Sequence, residues 1–146
     1  MNYSALTTEE LFALCVWREA SGEGYAGMLG VAWNIWNRHL RWRQSLRTII
    51  LTPNQFTSMT VEKNPRNPEP NDREMVMART IVSQVMAGAV QDPTNGSCYY
   101  ANLDSVRAAN VAAGRPSDSG WFFAHIVQDP KNHPLTAEIG QHTYYA

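Results

Sequence analysis

Glu19 and Glu23 are the residues best placed to do chemistry, because a greasy helix leads straight into them and a glycine-rich turn holds them. Seven apolar residues run unbroken from Leu11 to Trp17, and a helix apolar nearly all round is a buried one. Val16, Cys15 and Phe12 stand three, four and seven positions before Glu19, so they share its helix face. Apolar surroundings favour the neutral form of a carboxyl. A glutamic acid that keeps its proton can protonate a leaving group. The competing reading is that Glu19 caps the helix or frays into solvent. Glu23, just inside the Gly22-Glu23-Gly24 turn, can either hydrogen-bond a substrate or brace the turn by accepting backbone N–H groups at the start of the next helix.

The elements that must position these carboxylates follow from pattern and punctuation. Thr7 and Glu10 have capping-box spacing, so the first helix is expected from there to about Ala20. Met28, Val31, Ala32, Ile35 and Trp36 repeat with helical period and predict a second helix over Tyr25 to Leu40. A short helix follows from Ser45 to Leu51, stopped by Thr52-Pro53. Thr60 to Asn71, with Pro65, Pro68 and Pro70, is expected to be a loop. Asn71 or Asp72 can cap a further helix that ends near Gly88. Asp92-Pro93-Thr94-Asn95-Gly96 is turn chemistry. Ser97 to Ala101 reads as extended, and Asp104 to Ala113 as a small helix. Gly120 to Phe123, a proline-bearing loop and Ile139 to Tyr145 complete the chain. The fold class is mainly α (α+β), one domain over residues 1–146 with a few short strands.

Composition narrows the function classes. A 146-residue chain that is 44% hydrophobic and 17% charged can build a core. A net charge of −1 gives no basic footprint for nucleic acid. The basic run Arg38, Arg41, Arg43 and Arg47 can touch an anionic polymer, but reads first as a solvated helix end. The histidines His39, His125, His133 and His142 lack paired ligand spacing, so neither a metal nor another cofactor is expected. Cys15 and Cys98 are too few for a disulfide scaffold, although the two can pair. The N-terminus has neither a basic segment nor a long apolar one, which predicts synthesis in the cytoplasm without a signal peptide. No stretch reaches the roughly 18 apolar residues of a membrane span. Without a heptad pattern or a sustained apolar stripe, a monomer is expected.

Several of these segments, taken in order, resemble a known family. Glu19-Ala20-Ser21-Gly22-Glu23, Gly27, Val31-Ala32 and Asn37-Arg38 are similar to the opening signature of the SleB-type cell wall hydrolases. Pro53, Gln55 and Phe56 resemble its proline and Q-F pair. Asp92-Pro93-Thr94, Tyr99-Tyr100-Ala101-Asn102 and Gly140-Gln141-His142-Thr143-Tyr144-Tyr145 resemble its later motifs. Trp33 and Trp36 depart from the small or aliphatic residues usual there, and residues 103–138 match poorly. The resemblance implies a lysozyme-like fold acting on peptidoglycan glycan strands at the cell wall or in the periplasm. It implies cleavage of the MurNAc–GlcNAc bond, with Glu19 as the single catalytic acid and base.

Glycoside cleavage normally uses two carboxylates. A lytic transglycosylase can use one, because the sugar's own C6 hydroxyl closes on C1. Asp92 and Asp104 occupy turn or cap positions, where aspartate is structural. Glu23 is the nearest second carboxylate, so the one-carboxylate route fits the residues better, with hydrolysis by a Glu-activated water as the alternative. Around it, Gln55 can offer an amide to an N-acetyl group. Asn102 belongs to the aromatic motif, and His142 can orient Glu19 or bind sugar. Tyr100, Tyr144 and Tyr145 can stack on sugar or fill the core. Trp17, Trp33 and Trp36 read as core, whereas Trp42 and Trp121, at segment ends, are the better sugar-stacking candidates. A non-catalytic glycan-binding or virion structural protein is the rival from another class. An intact single-module enzyme suits a phage endolysin or a prophage-derived bacterial enzyme equally well.

Overall fold

The computed structural model describes residues 2–60 and 66–146. Residues 61–65, including Pro65 of the expected loop, lie outside that description.

The helices form where capping and apolar spacing require them. Helix α1 spans Thr8–Ala20, and its capping box is complete: Thr7 accepts from the Glu10 N–H while Glu10 accepts from the Thr7 N–H. Leu11 to Trp17 are all buried, as an all-round apolar helix requires. A tight turn at Ser21–Glu23 leads into α2, Gly24–Trp42. Helix α3, Leu46–Leu51, is capped by Ser45. Helix α4, Thr57–Thr60, is a single turn with no signature in the sequence. Helix α5, Arg73–Met86, is capped by Asp72, whose other task is to accept the indole N–H of Trp17 at 2.9 Å. Helices α1, α2 and α5 pack together, and Phe12, Cys15, Val31, Ile35, Ala78, Ile81 and Val85 fill the space between them.

The second half carries a three-stranded antiparallel sheet in the order β1-β3-β2. Strand β1 is Tyr99–Ala101, β2 is Leu135–Ile139 and β3 is His142–Tyr145. Tyr100 faces Tyr144 across β1 and β3, and a bulge interrupts β2 between Leu135 and Ala137. Helix α6, Leu103–Ala112, leaves β1 directly, with Asn102 as its cap. A π-helical turn at Phe123–Val127, unexpected from sequence, buries Phe123 and Ile126. The fold is thus mainly helical with a small sheet, as expected. Cys15 and Cys98 are both buried free thiols rather than a bridge. Among the described residues no helix is long and apolar enough to cross a membrane.

The sheet is fastened to α2 by two adjacent side chains. Asn37 donates to Asp92 at 2.8 Å and to the Ser97 carbonyl at 3.0 Å, and Arg38 donates through Nε to the Cys98 carbonyl at 2.7 Å. Asp92 also accepts from the Thr94 and Gly96 N–H groups, which closes the turn before β1. Asp92 is therefore structural, as its turn position suggested.

Candidate active site

Glu19 ends the buried helix without being lost in its core. Its side chain is half-buried and held at both oxygens, Oε1 by the Tyr100 hydroxyl at 2.8 Å and Oε2 by the Ser58 hydroxyl at 3.0 Å. The carboxyl is thus neither frayed into solvent nor sealed in apolar surroundings. Val16, Cys15 and Phe12 do lie buried on its helix face. Tyr100 comes from β1 and Ser58 from α4, so three separate elements converge on one carboxyl. Burial and the adjacent Glu19 carboxyl together push the Tyr100 hydroxyl well above its ordinary range, which keeps it a proton-bearing donor.

Arg18 builds the wall beside it. The side chain is buried and donates to the carbonyls of Arg66 at 2.7 Å and Ser58 at 3.3 Å, and to the Tyr3 hydroxyl at 2.7 Å. That pins α4 against the end of α1 and fixes Ser58 over Glu19.

Glu23 does something the sequence did not suggest. It makes no capping bond to the start of α2; Oε2 lies 2.8 Å from Nδ1 of His142 on β3. The two meet at close range without the alignment of a good hydrogen bond. Burial lowers the proton affinity of His142, opposed by the Glu23 and then the Glu19 carboxylates. Glycine makes this packing fit: a Cβ on Gly27 would come within 2.5 Å of the Glu23 Cβ, and one on Gly30 within 2.5 Å of the Tyr144 hydroxyl. The Tyr100 ring stands edge-on to His142, with centroids 5.0 Å apart. Glu19, Tyr100, His142 and Glu23 therefore form one contiguous row.

A cleft of about 710 Å³ opens beside this row, lined by Arg38, Trp42, Gln55, Tyr99, Tyr100 and Trp121 among others. Glu19 itself is not in its lining; Tyr100 is the residue that joins the two. Trp42 and Trp121, the expected stacking candidates, both lie in its walls and are 36% and 62% exposed. Trp17 is core, while Trp33 and Trp36 are only partly buried and pack on the core's edge. Gln55 lines the cleft and its Oε1 accepts from Arg38 Nη1 at 3.4 Å, with Phe56 buried beneath.

Two expected contacts, Tyr144 and Asn102, are placed elsewhere. Tyr144 is fully buried, its hydroxyl against Gly30, so it packs the core rather than meeting substrate. Asn102 spends its polar atoms on the fold: Oδ1 accepts the Ser105 N–H and Nδ2 donates to Gln141. Tyr145 is also buried. The expectation of a solvated basic run fails at Arg38, which is buried in the cleft floor. Ser58, Arg18 and Arg38 are the residues sequence reading missed. Ser58 is 39 residues from its partner Glu19, and no local pattern signals a contact of that range. Among the described residues no cluster of three His, Cys, Asp or Glu side chains is placed to hold a metal.

Comparison with known proteins agrees with this architecture. The catalytic domain of the germination-specific lytic transglycosylase SleB from Bacillus anthracis is similar in structure, with a TM-score of 0.63 at 23% identity, over 95% of this chain and 93% of that one. The catalytic domain of the Bacillus cereus SleB protein gives 0.63 at 22% identity, over 95% and 89%. At such identities the likeness is one of fold. No curated protein matches the chain. The sequence model of one family, Cell Wall Hydrolase, matches residues 22–145, which takes in Glu23, Gly27, the Asn37-Arg38 clamp, Gln55, the β1 aromatics and His142, and begins three residues after Glu19. With its pattern matched over most of the chain and the fold shared, this protein belongs to the SleB-type cell wall hydrolase family.

Proposed function

We propose that this protein cleaves the β-1,4 bond between MurNAc and GlcNAc in peptidoglycan as a lytic transglycosylase, with Glu19 acting first as acid and then as base. The observation that carries the reading is a carboxyl fixed by two hydroxyl donors at the end of a buried helix, joined through Tyr100 to a cleft walled by tryptophan and tyrosine. Indole and phenol faces stack on pyranose rings, and Trp42 and Trp121 present such faces in the cleft walls.

The residues support the following sequence. A glycan strand lies along Trp42, Trp121 and Tyr99, with Gln55 near an acetamido group. Glu19 gives its proton to the glycosidic oxygen as the bond from that oxygen to C1 of MurNAc breaks. The resulting carboxylate then takes the proton of the MurNAc C6 hydroxyl while O6 bonds to C1. The products are a 1,6-anhydroMurNAc end and a GlcNAc end, and no water is consumed. Tyr100 and Ser58 hold both oxygens of the carboxyl in place through the two transfers. Glu23 supports a one-carboxylate route, because its Oε2 is turned against His142 on β3, 2.8 Å from Nδ1.

Mass spectrometry of the muropeptides released from purified peptidoglycan tests the reading. Products carrying 1,6-anhydroMurNAc, lighter by one water than the hydrated sugar, are expected. Reducing MurNAc ends would instead make the protein a muramidase, with water as the acceptor. Replacing Glu19 with Gln keeps the shape and removes the titrating proton, so release should fall by at least about 100-fold with the fold intact. Near-full activity in that variant would remove Glu19 from the mechanism.

A further inference from the structure

Arg38 lies in the cleft floor with a charge that the described residues leave uncompensated. It is only 6% exposed. Its guanidinium lies over the ring of Phe56 at 5.0 Å and over that of Trp42 at 5.3 Å. Nε is spent on the Cys98 carbonyl at 2.7 Å, and Nη1 reaches Gln55 only at 3.4 Å. Nη2 has no hydrogen-bond partner among the described residues, and none of their carboxylates comes within ion-pair distance. A cation withdrawn from water without a counter-charge is costly. Burial weakens the guanidinium's hold on its proton accordingly. Ring stacking offsets only part of such a cost. A purely structural tie to Cys98 needs one N–H, yet the side chain keeps its outer edge on the cleft, where the other polar lining residues, among them Gln44, Thr52, Asn54 and Gln55, are uncharged.

We infer that the cleft floor is a carboxylate subsite, in which Arg38 pairs with an acid group carried by the bound glycan strand. The inference rests on the glycan-cleaving reading and makes it more specific. GlcNAc units are neutral. MurNAc carries a lactyl ether whose carboxyl is either free, on a strand without peptides, or joined to a peptide stem that brings carboxylates of its own. Both present the same chemistry to a guanidinium edge, which donates parallel N–H groups to carboxylate oxygens. Selection follows from the missing counter-charge: a neutral strand leaves the buried charge unpaired, whereas an acidic one pairs it.

The test is calorimetric titration of the Glu19→Gln protein, which should hold substrate uncut, with four tetrasaccharides. These are chitotetraose, a GlcNAc–MurNAc tetrasaccharide with free lactyl carboxylates, its lactyl methylamide, and its peptide-stem form. At least one carboxylate-bearing ligand is expected to bind about tenfold more tightly than the methylamide, with the advantage shrinking as salt is added. Preference for the free lactyl form assigns the subsite to the sugar acid, and preference for the stem form assigns it to the peptide. Adding Arg38→Gln should abolish the preference for the acid ligands over the methylamide. If that second variant does not fold, the four-ligand series and its salt dependence still decide. Equal binding of methylamide and acids would overturn the subsite and leave glycan cleavage standing. Persistence of the preference in a folded Arg38→Gln protein would also overturn it. If no ligand binds and the unaltered protein releases no muropeptides, the glycan-cleaving reading fails together with the subsite.

Discussion

At the residue scale, the site depends on how a few polar atoms are shared out. Glu19 takes two hydroxyl donors and Glu23 takes a histidine, so two carboxyls four residues apart are given different surroundings. Tyr100 links Glu19 to the cleft, and its ring also packs against His142 and Tyr144. Tyr100→Phe keeps that packing and removes one donor. A hydrogen bond to a charged group contributes about 1.5–3 kcal/mol, so the rate of glycan release should drop roughly tenfold or more when measured at temperatures where the variant stays folded. Unchanged release by Tyr100→Phe would make the hydroxyl a spectator. The carboxyl at the centre of this arrangement was legible from the Trp17–Gly24 segment, because the apolar run and the turn are local. Its donors were not: Ser58 and Tyr100 lie 39 and 81 residues away, and nothing near them in the chain encodes Glu19.

At the element scale, close approach governs the site as much as any polar contact. Helix α2 supports the site through the glycines at 27 and 30, where the Glu23 side chain and the Tyr144 hydroxyl occupy the space a methyl group would need. Gly30→Ala forces the buried Tyr144 ring away from α2 and disturbs the β1–β3 pairing that carries Tyr100. Overpacking of this kind costs roughly 1–3 kcal/mol, which a urea unfolding curve would resolve, and activity should fall with it. A neutral Gly30→Ala would mean that the sheet has slack. The capping box of α1 is different, since it lies at the far end of the helix from Glu19. Thr7→Ala should cost about 1 kcal/mol in stability and leave the rate of release unchanged at temperatures where the protein is folded. The helices were readable because caps and apolar period are local signals. The single turn of α4 and the π-helical turn at Phe123–Val127 were not, since each is held by tertiary burial of Met59, Phe123 and Ile126 rather than by its own propensity.

At the scale of the whole molecule, the helical and sheet-bearing halves meet at the row from Glu19 to Glu23, so stability and function share groups. His142 is the group that ties folding to pH. Burial holds its proton affinity in the folded state below the ordinary value of 6.5, despite Glu23 and Glu19 pulling the other way. The unfolded chain therefore binds the proton more readily, and the contribution of His142 to stability is complete above pH 6.5 and is lost as pH falls through the lower folded value. Urea midpoints should decline from pH 7.5 toward pH 5.5, and His142→Asn should flatten that decline; an equal slope in both proteins would assign it to other groups. The sequence by itself determined the helices, their caps, the turn at Asp92 and the carboxylate at the end of α1, because each follows from hydrogen bonding and apolar spacing within a few residues. Tertiary structure alone decided that Glu23 pairs with His142, that Tyr144 is core and that Asn102 is a cap. It also buried Arg38 under a cleft instead of leaving it in a solvated run. Those outcomes depend on which surfaces the packed helices and sheet bring into contact, and a guanidinium or a ring has no preference between solvent and interior until its neighbours from distant parts of the chain are in place.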